Sequence, residues 1–352
     1  MDVMQVIRSV KKPDQAVAQR VRARWASVAK PLGSLGVLEE DLVTIGVAQG
    51  SEQIKLGKKG IVVFCADNGI VAEGVTQTSQ DVTASVARHM GAGTSCVCRM
   101  AACANVQVIP VDIGIAADMD GSGLLPQKVA WGTKNFLKED AMSRDEVLRA
   151  MQVGMELAYS LKDEEFSILG SGEMGIGNTT TSAAVLCALL GMDPGEAAGR
   201  GAGLSSVGLS RKAEVIREGL RLRSPDPTDG IDVLAKVGGL DLAGLCGLYI
   251  GCAAVGIPAV LDGVISAAAA VAAVAICPAV REYLIASHIS AEPAGRAALK
   301  HLGLSAAIDA GMRLGEGTGA AAFFPMLDMA LAIYRDMSTF EEMEVKRYQP
   351  LV

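Results

Sequence analysis

Residues 166–184 read FSILGSGEMGIGNTTTSAA. A short apolar run enters a glycine-rich turn and leaves into a helix-compatible stretch, the strand, turn and helix order of a parallel α/β sheet. Its core, Gly170-Ser-Gly172-Glu-Met-Gly175, satisfies the Gly-x-Gly-x-x-Gly spacing of a dinucleotide site but sets a carboxylate, Glu173, where a pyrophosphate would lie. Asp193, the candidate ribose acid further on, sits in GMDPGEAAG, a turn between helices where Asp caps the next one. The dinucleotide reading therefore fails on its context. A phosphate monoester fits better: Gly175, Gly177, Asn178, Thr179 and Thr180 can offer backbone amides and hydroxyls at a helix N-terminus.

Outward from this loop, strand-like runs (KGIVVFC, NVQVIPVDIG, FSILG, IPAVLDG, REYLIAS) alternate with helical patterns at 82–104, 141–161, 178–191, 207–222 and 240–255. The expected fold is α/β, a parallel Rossmann-like sheet flanked by helices. Each run ends in polar residues: Asp67-Asn68, Asp112, Ser171 to Glu173, Asp262-Gly263, and Ser287 to Ser290. Any one of these suits an ordinary turn. Five together predict one crevice at the carboxyl ends of the strands. The first fifty-odd residues are helical, broken at KPLGSLG (30–36), and a last helix-rich stretch runs over 294–345. Segments 1–55 and 294–352 are thus expected to form a small helical domain beside a large α/β domain, 56–293, that carries the crevice.

Half of the 352 residues are apolar, and 40 glycines accompany only 4% aromatics, as closely packed α/β layers require. The net charge of −7, without a basic run, argues against nucleic acid and anionic membrane surfaces. The N-terminus lacks the apolar core of a signal peptide, and the eight cysteines, set in apolar segments without framework spacing, read as reduced, buried thiols of a cytoplasmic protein. Cys96, Cys98 and Cys103 would be scattered around a helix with no second ligand pair, so no metal site is assigned. Residues 242–261 are uncharged and contain Gly247-x-x-x-Gly251, a spacing that membrane helices also use. Pro258 and Asp262, together with the missing Lys/Arg asymmetry and aromatic belt, favour buried core elements instead.

Two further residues draw attention. Glu316, in MRLGEGTGA, is one carboxylate among glycines: either a desolvated general base or an exposed residue of a tight turn. Lys212, in LSRKAEVIREGL, either reaches an anion or lies solvated on a helix face. The three histidines are scattered and give no nucleophile-and-base order.

In that order KPLGSLG, ADNGIVAEGV, GSGEMGIGNTTTSAAV, GRGAGL followed by Arg-Lys, GGLDLAGLCG, VLDG, SHISAEP and MRLGEGTGAA cover nearly the whole chain. In these motifs the sequence resembles the nicotinate-nucleotide dimethylbenzimidazole phosphoribosyltransferases of cobalamin nucleotide-loop assembly. The resemblance implies a paired protein, homodimer or heterodimer with a related subunit. It implies transfer of the 5-phosphoribosyl group of nicotinate mononucleotide to a lower-ligand base with inversion, giving an α-riboside phosphate and nicotinate for cobamide synthesis. No metal or redox cofactor is required. Glu316 becomes the general base and Glu173 an electrostatic partner for an oxocarbenium-like transition state. The loop 175–180, Lys212 and Ser290 take the phosphate, and Asp262, Gly263, Ser79 and Gln80 complete the substrate contacts.

Two departures from the family pattern bear on the acceptor. Ala294-Gly295-Arg296 lacks the usual His, and Asn68 stands where His is commoner, ahead of GVTQTSQDVT (74–83). The resemblance leaves open 5,6-dimethylbenzimidazole or a phenol as acceptor. It also leaves open a role as the non-catalytic partner in a pair of unequal subunits.

Overall fold

The computed structural model describes residues 1–348. Helices α1 (Val3–Ser9), α2 (Gln15–Ser27) and α3 (Val37–Gln49) precede strand β1 (Lys58–Ala66). Helices α4 (Asp81–Gly91) and α5 (Cys96–Cys103) lead to β2 (Gln107–Gly114), and β3 (Leu125–Pro126) and α6 (Arg144–Asp163) lead to β4 (Phe166–Met174). Five helices fill the crossover to β5 (Ala259–Leu261): α7 (Asn178–Leu190), α8 (Pro194–Ala197), α9 (Ser206–Arg223), α10 (Gly230–Val237) and α11 (Leu240–Val255). Then come α12 (Val264–Ile276), β6 (Leu284–His288), α13 (Pro293–Leu302), β7 (Ala306–Ile308) and α14 (Thr318–Asp336).

The strands form one parallel sheet in the order β3-β2-β1-β4-β5-β6-β7. The chain builds outward from β1 to β3, then returns to the other side of β1, so the order reverses between β1 and β4. Such a switch point opens a crevice at the carboxyl ends. β1 shows why the strands read as unbroken apolar runs. Ile61, Val63 and Cys65 enter one core and Val62, Phe64 and Ala66 the other, because both faces are covered. Helices α2 to α5 and α14 cover the first face; α1 and α6 to α13 cover the second. The two ends of the chain meet on the first face, where Trp25 of α2 stacks edge-on against Tyr334 of α14 with ring centroids 5.1 Å apart.

The Gly247-x-x-x-Gly251 spacing is a contact between α11 and α6. A Cβ on Gly247 would stand 2.0 Å from the Met151 carbonyl oxygen, and one on Gly154 of α6 would stand 2.1 Å from that of Gly244. These helices touch backbone to backbone, and only glycine allows it. No helix among the described residues is long and apolar enough to cross a membrane.

Three expectations need correction. The helix expected over 82–104 is two, α4 and α5, because Gly93 adopts φ +71° and Ser95 caps the second helix. Of the thiols expected to be buried, Cys96 and Cys103 are exposed and Cys98 half-buried, since the short α5 lies on the surface. The acids ending β1 and β2 do not join the crevice. Asp67 accepts the Ala116 amide (2.8 Å), and Asp112 accepts the Ile115 amide (2.9 Å) and pairs with Lys128 (3.0 Å), which ties down the connection after β2.

Candidate active site

A cleft of about 270 Å³ opens over the carboxyl ends of β4, β5 and β6, roofed by residues 75–78 and 200–204. Glu173, Gly175, Gly177, Asn178, Thr179, Asp262, Gly263, Ser290 and Glu316 all line it. Gly175 and Gly177 are required by shape: a Cβ on Gly175 would stand 2.3 Å from the Ala66 carbonyl oxygen, and Gly177 caps α7 at φ +95°. The amides of Asn178 and Thr180 bond back to Gly175 and Gly177 (3.1 and 2.9 Å). The Thr179 amide has no protein acceptor among the described residues, and its hydroxyl accepts from Lys212 Nζ at 2.8 Å. Lys212 is fully buried on α9, donates also to the Gly199 carbonyl (3.0 Å), and reaches the cleft only through Thr179. Burial lowers its pKa to about 8 against the opposing charge of Glu292.

Four buried acids gather beside this turn: Glu173, Asp262 and Glu316 line the cleft, and Asp241 joins them through Asn178. One amide bridges two of them, since Asn178 Nδ2 donates to Glu173 Oε2 and, at 3.1 Å, to Asp241 Oδ2. Burial first, and then the charges of Asp241 and Asp262, push Glu173 well above the usual carboxylate range. Burial raises Asp241 to about 6, opposed by the Asn178 bond. Asp262 is also raised by burial, while His288 and the amides of Gly319 (2.6 Å) and Gly317 (3.2 Å) oppose the shift. Glu316 is raised by burial and restrained by the first turn of α5, where the Val97 amide donates to Oε2 at 3.1 Å. Gly315, Glu316 and Gly317 all have positive φ (+86°, +61° and +90°), a run that a non-glycine residue joins only under surrounding restraint.

The remaining expected residues lie apart. Thr180 is buried in α7, its hydroxyl without a partner among the described residues. Ser79 is exposed beside Asp81 (3.3 Å), and Gln80 donates to the Asn68 carbonyl (3.1 Å); neither lines the cleft, although Val75 to Thr78 just before them do. Asn68 is buried beneath the 175–177 turn, donating to the Ile176 carbonyl (3.4 Å). Arg296 pairs with Asp309 (3.3 Å) on the surface. His288 lies in the strand end expected at the crevice, though no role was assigned to it; sequence reasoning missed Asp241, Glu292, Arg200 and Arg313. Glu292 accepts the Gly201 amide (3.0 Å), and a Cβ on Gly199 would collide with it at 1.5 Å. The lone acid of GGLDLAG, in an otherwise apolar helix, was the available signal for Asp241.

A family model described as Phosphoribosyltransferase matches residues 10–345. The "Nicotinate-nucleotide--dimethylbenzimidazole phosphoribosyltransferase" proteins of Clostridium acetobutylicum and Ruminiclostridium cellulolyticum are each 41% identical over 351 residues, covering 100% of both chains. The crystal structure of CobT from Thermus thermophilus superposes with a TM-score of 0.90 at 37% identity, covering 95% of this chain and 100% of that one. A cleft lined by buried acids and a helix N-terminus, on a chain similar from end to end to these proteins, places it: the chain belongs to the nicotinate-nucleotide dimethylbenzimidazole phosphoribosyltransferase family.

Proposed function

We propose that this chain transfers the 5-phosphoribosyl group of nicotinate mononucleotide to an aromatic base or phenol and releases nicotinate. The observation that carries this reading is a cleft lined both by the N-terminus of α7 and by buried acids. The Thr179 amide and hydroxyl, backed by the Lys212 ammonium, suit a phosphate, and the buried acids suit a cationic sugar. The bond from the anomeric carbon to the pyridinium nitrogen breaks with its electron pair going to nitrogen, which leaves neutral and needs no acid. The acceptor atom bonds the opposite face of that carbon, and its proton passes to Glu316. The positive charge that develops on the sugar favours the ionised forms of Glu173 and Asp262, which in turn lower its energy.

Residues 75–78 are the proposed acceptor wall, with Ser79 and Gln80 supporting it from behind. Segments 1–55 and 294–352 are read as the small helical domain beside the large α/β domain, 56–293, and the protein as a homodimer or heterodimer acting in the cytoplasm. The presence of Glu173 and Glu316 in one cleft supports a catalytic subunit over a non-catalytic partner.

Nicotinate release from nicotinate mononucleotide by the purified chain tests this, with 5,6-dimethylbenzimidazole in one reaction and p-cresol in another. Release is expected with at least one. No release with either, nor on addition of a related subunit, would defeat the reading.

A further inference from the structure

One polar pair in the cleft has a geometry that a phosphate does not explain. His288 ends β6, is 4% exposed and lines the cleft. Its Nδ1 lies 3.0 Å from Ser287 Oγ and 4.0 Å from Asp262 Oδ1. Ser287 spends its hydroxyl proton on the Asp262 carbonyl (3.3 Å), so its oxygen meets the imidazole with a lone pair and Nδ1 carries the ring proton. The start of α14 fixes the ring in place, because a Cβ on Gly319 would stand 2.0 Å from Nδ1. Burial disfavours the imidazolium, with Asp262 opposing, and the neutral ring turns an acceptor lone pair outward at Nε2.

Nε2 has no hydrogen-bond partner among the described residues. Beside it, Ser290 Oγ accepts the Glu292 amide (3.3 Å), which leaves its own proton free to donate. Nε2 and Ser290 Oγ lie 3.7 and 3.8 Å from one point, the position a Cβ on Gly263 would take. An acceptor and a donor thus face one small space that Gly263 keeps open. A phosphate or carboxylate oxygen only accepts and would meet the Nε2 lone pair, whereas a hydroxyl both gives and takes. We infer that His288 and Ser290 form a hydroxyl-reading pair that binds one ribose hydroxyl of the phosphoribosyl donor, with Nε2 accepting and Ser290 Oγ donating.

The inference rests on the phosphoribosyl reading and moves Ser290 from the phosphate to the sugar. His288 is a binding and positioning residue that sets the sugar's rotation in the cleft.

The test compares kcat/KM for nicotinate mononucleotide and its 2-deoxy and 3-deoxy ribosyl analogues, in the wild-type chain and in His288→Leu. Wild type should lose about 10- to 100-fold on one of the two analogues. His288→Leu should lose a similar factor on the ribosyl donor alone, so that its preference falls close to one. His288→Gln, which retains an acceptor oxygen, should recover part of it. Gly263→Ala, compatible with the backbone at φ −103°, should weaken ribosyl-donor binding by setting a methyl before both groups. A purely structural role for His288 would lower all three donors equally. Equal turnover of all three donors by wild type, or an unchanged preference in His288→Leu, overturns the inference. Should wild type release no nicotinate with any acceptor, the fault lies in the functional reading. Dissociation constants of the three nucleotides, measured by calorimetry, then decide on the pair by the same ratios.

Discussion

The backbone N–H of Glu316 donates to the carbonyl oxygen of Glu173 across 3.2 Å, latching the end of β4 to the turn before α14. The approach is close on both sides: a Cβ on Gly172 would stand 2.5 Å from the Glu316 carbonyl oxygen, and one on Gly315 would stand 2.7 Å from Glu173 Oε1. Main chain fixes the separation of the two acids, so their side chains can be exchanged without moving the frame.

Glu316→Gln is accordingly expected to bind nicotinate mononucleotide as wild type does while losing about 10²- to 10⁴-fold in kcat. Burial raises the Glu316 pKa, and a base works only when deprotonated. The wild-type rate should therefore climb with pH through a midpoint above that of an ordinary glutamate, and the variant's residual rate should lack that limb. A pH profile of single-turnover rates checks both, and an unchanged kcat would remove Glu316 from the reaction.

Lys212 makes the opposite prediction in pH. With a pKa lowered to about 8, it carries charge below that value and loses it above, so phosphate affinity should fall as pH rises through 8 in the free enzyme. Lys212→Met should raise KM for the nucleotide, because the buried ammonium behind Thr179 no longer attracts the phosphate. It should also flatten this alkaline limb. Isothermal titration at pH 7 and pH 9 would show it, and equal slopes in the two proteins would count against the lysine.

Asp41 predicts stability. It is buried on α3, its Oδ2 has no partner among the described residues, and burial raises its pKa from 3.8 to about 8, with Glu40 adding to the rise. Between those values the folded chain holds a proton that the unfolded chain has released. Its contribution to stability is complete below about pH 4 and is lost as pH climbs toward 8, at up to about 1.4 kcal/mol per pH unit. Asp41→Asn should show a shallower decline of the urea midpoint between pH 5 and pH 8, and parallel declines in the two proteins would refute the assignment.

The sheet was legible because its strands are buried on both faces: runs such as GIVVFC need no partner to be recognised. β3 and β7 were not, being short edge strands of exposed or half-buried residues with no apolar run to mark them. The glycine-rich wall of the cleft was legible for a related reason, since a glycine-rich turn and the helix it opens are contiguous in the chain. The acid cluster is not contiguous. Asp241 meets Glu173 only through Asn178, and His288 meets Asp262 only because β5 and β6 are neighbours, so no spacing in the sequence announces either pair. Ser79 and Gln80 show the converse, lying in the expected segment but facing away from the cleft.

The glycine contact between α6 and α11 also reaches into chemistry. Asp241 opens α11, and Gly247 lies six residues further along, about 9 Å down the helix axis. A methyl group at Gly247 would drive α11 away from α6 and carry Asp241, and with it the shared amide of Asn178, out of line. Damage far from any substrate would then surface as poor catalysis in a chain that still folds. A screen for slow variants should find hits along this seam.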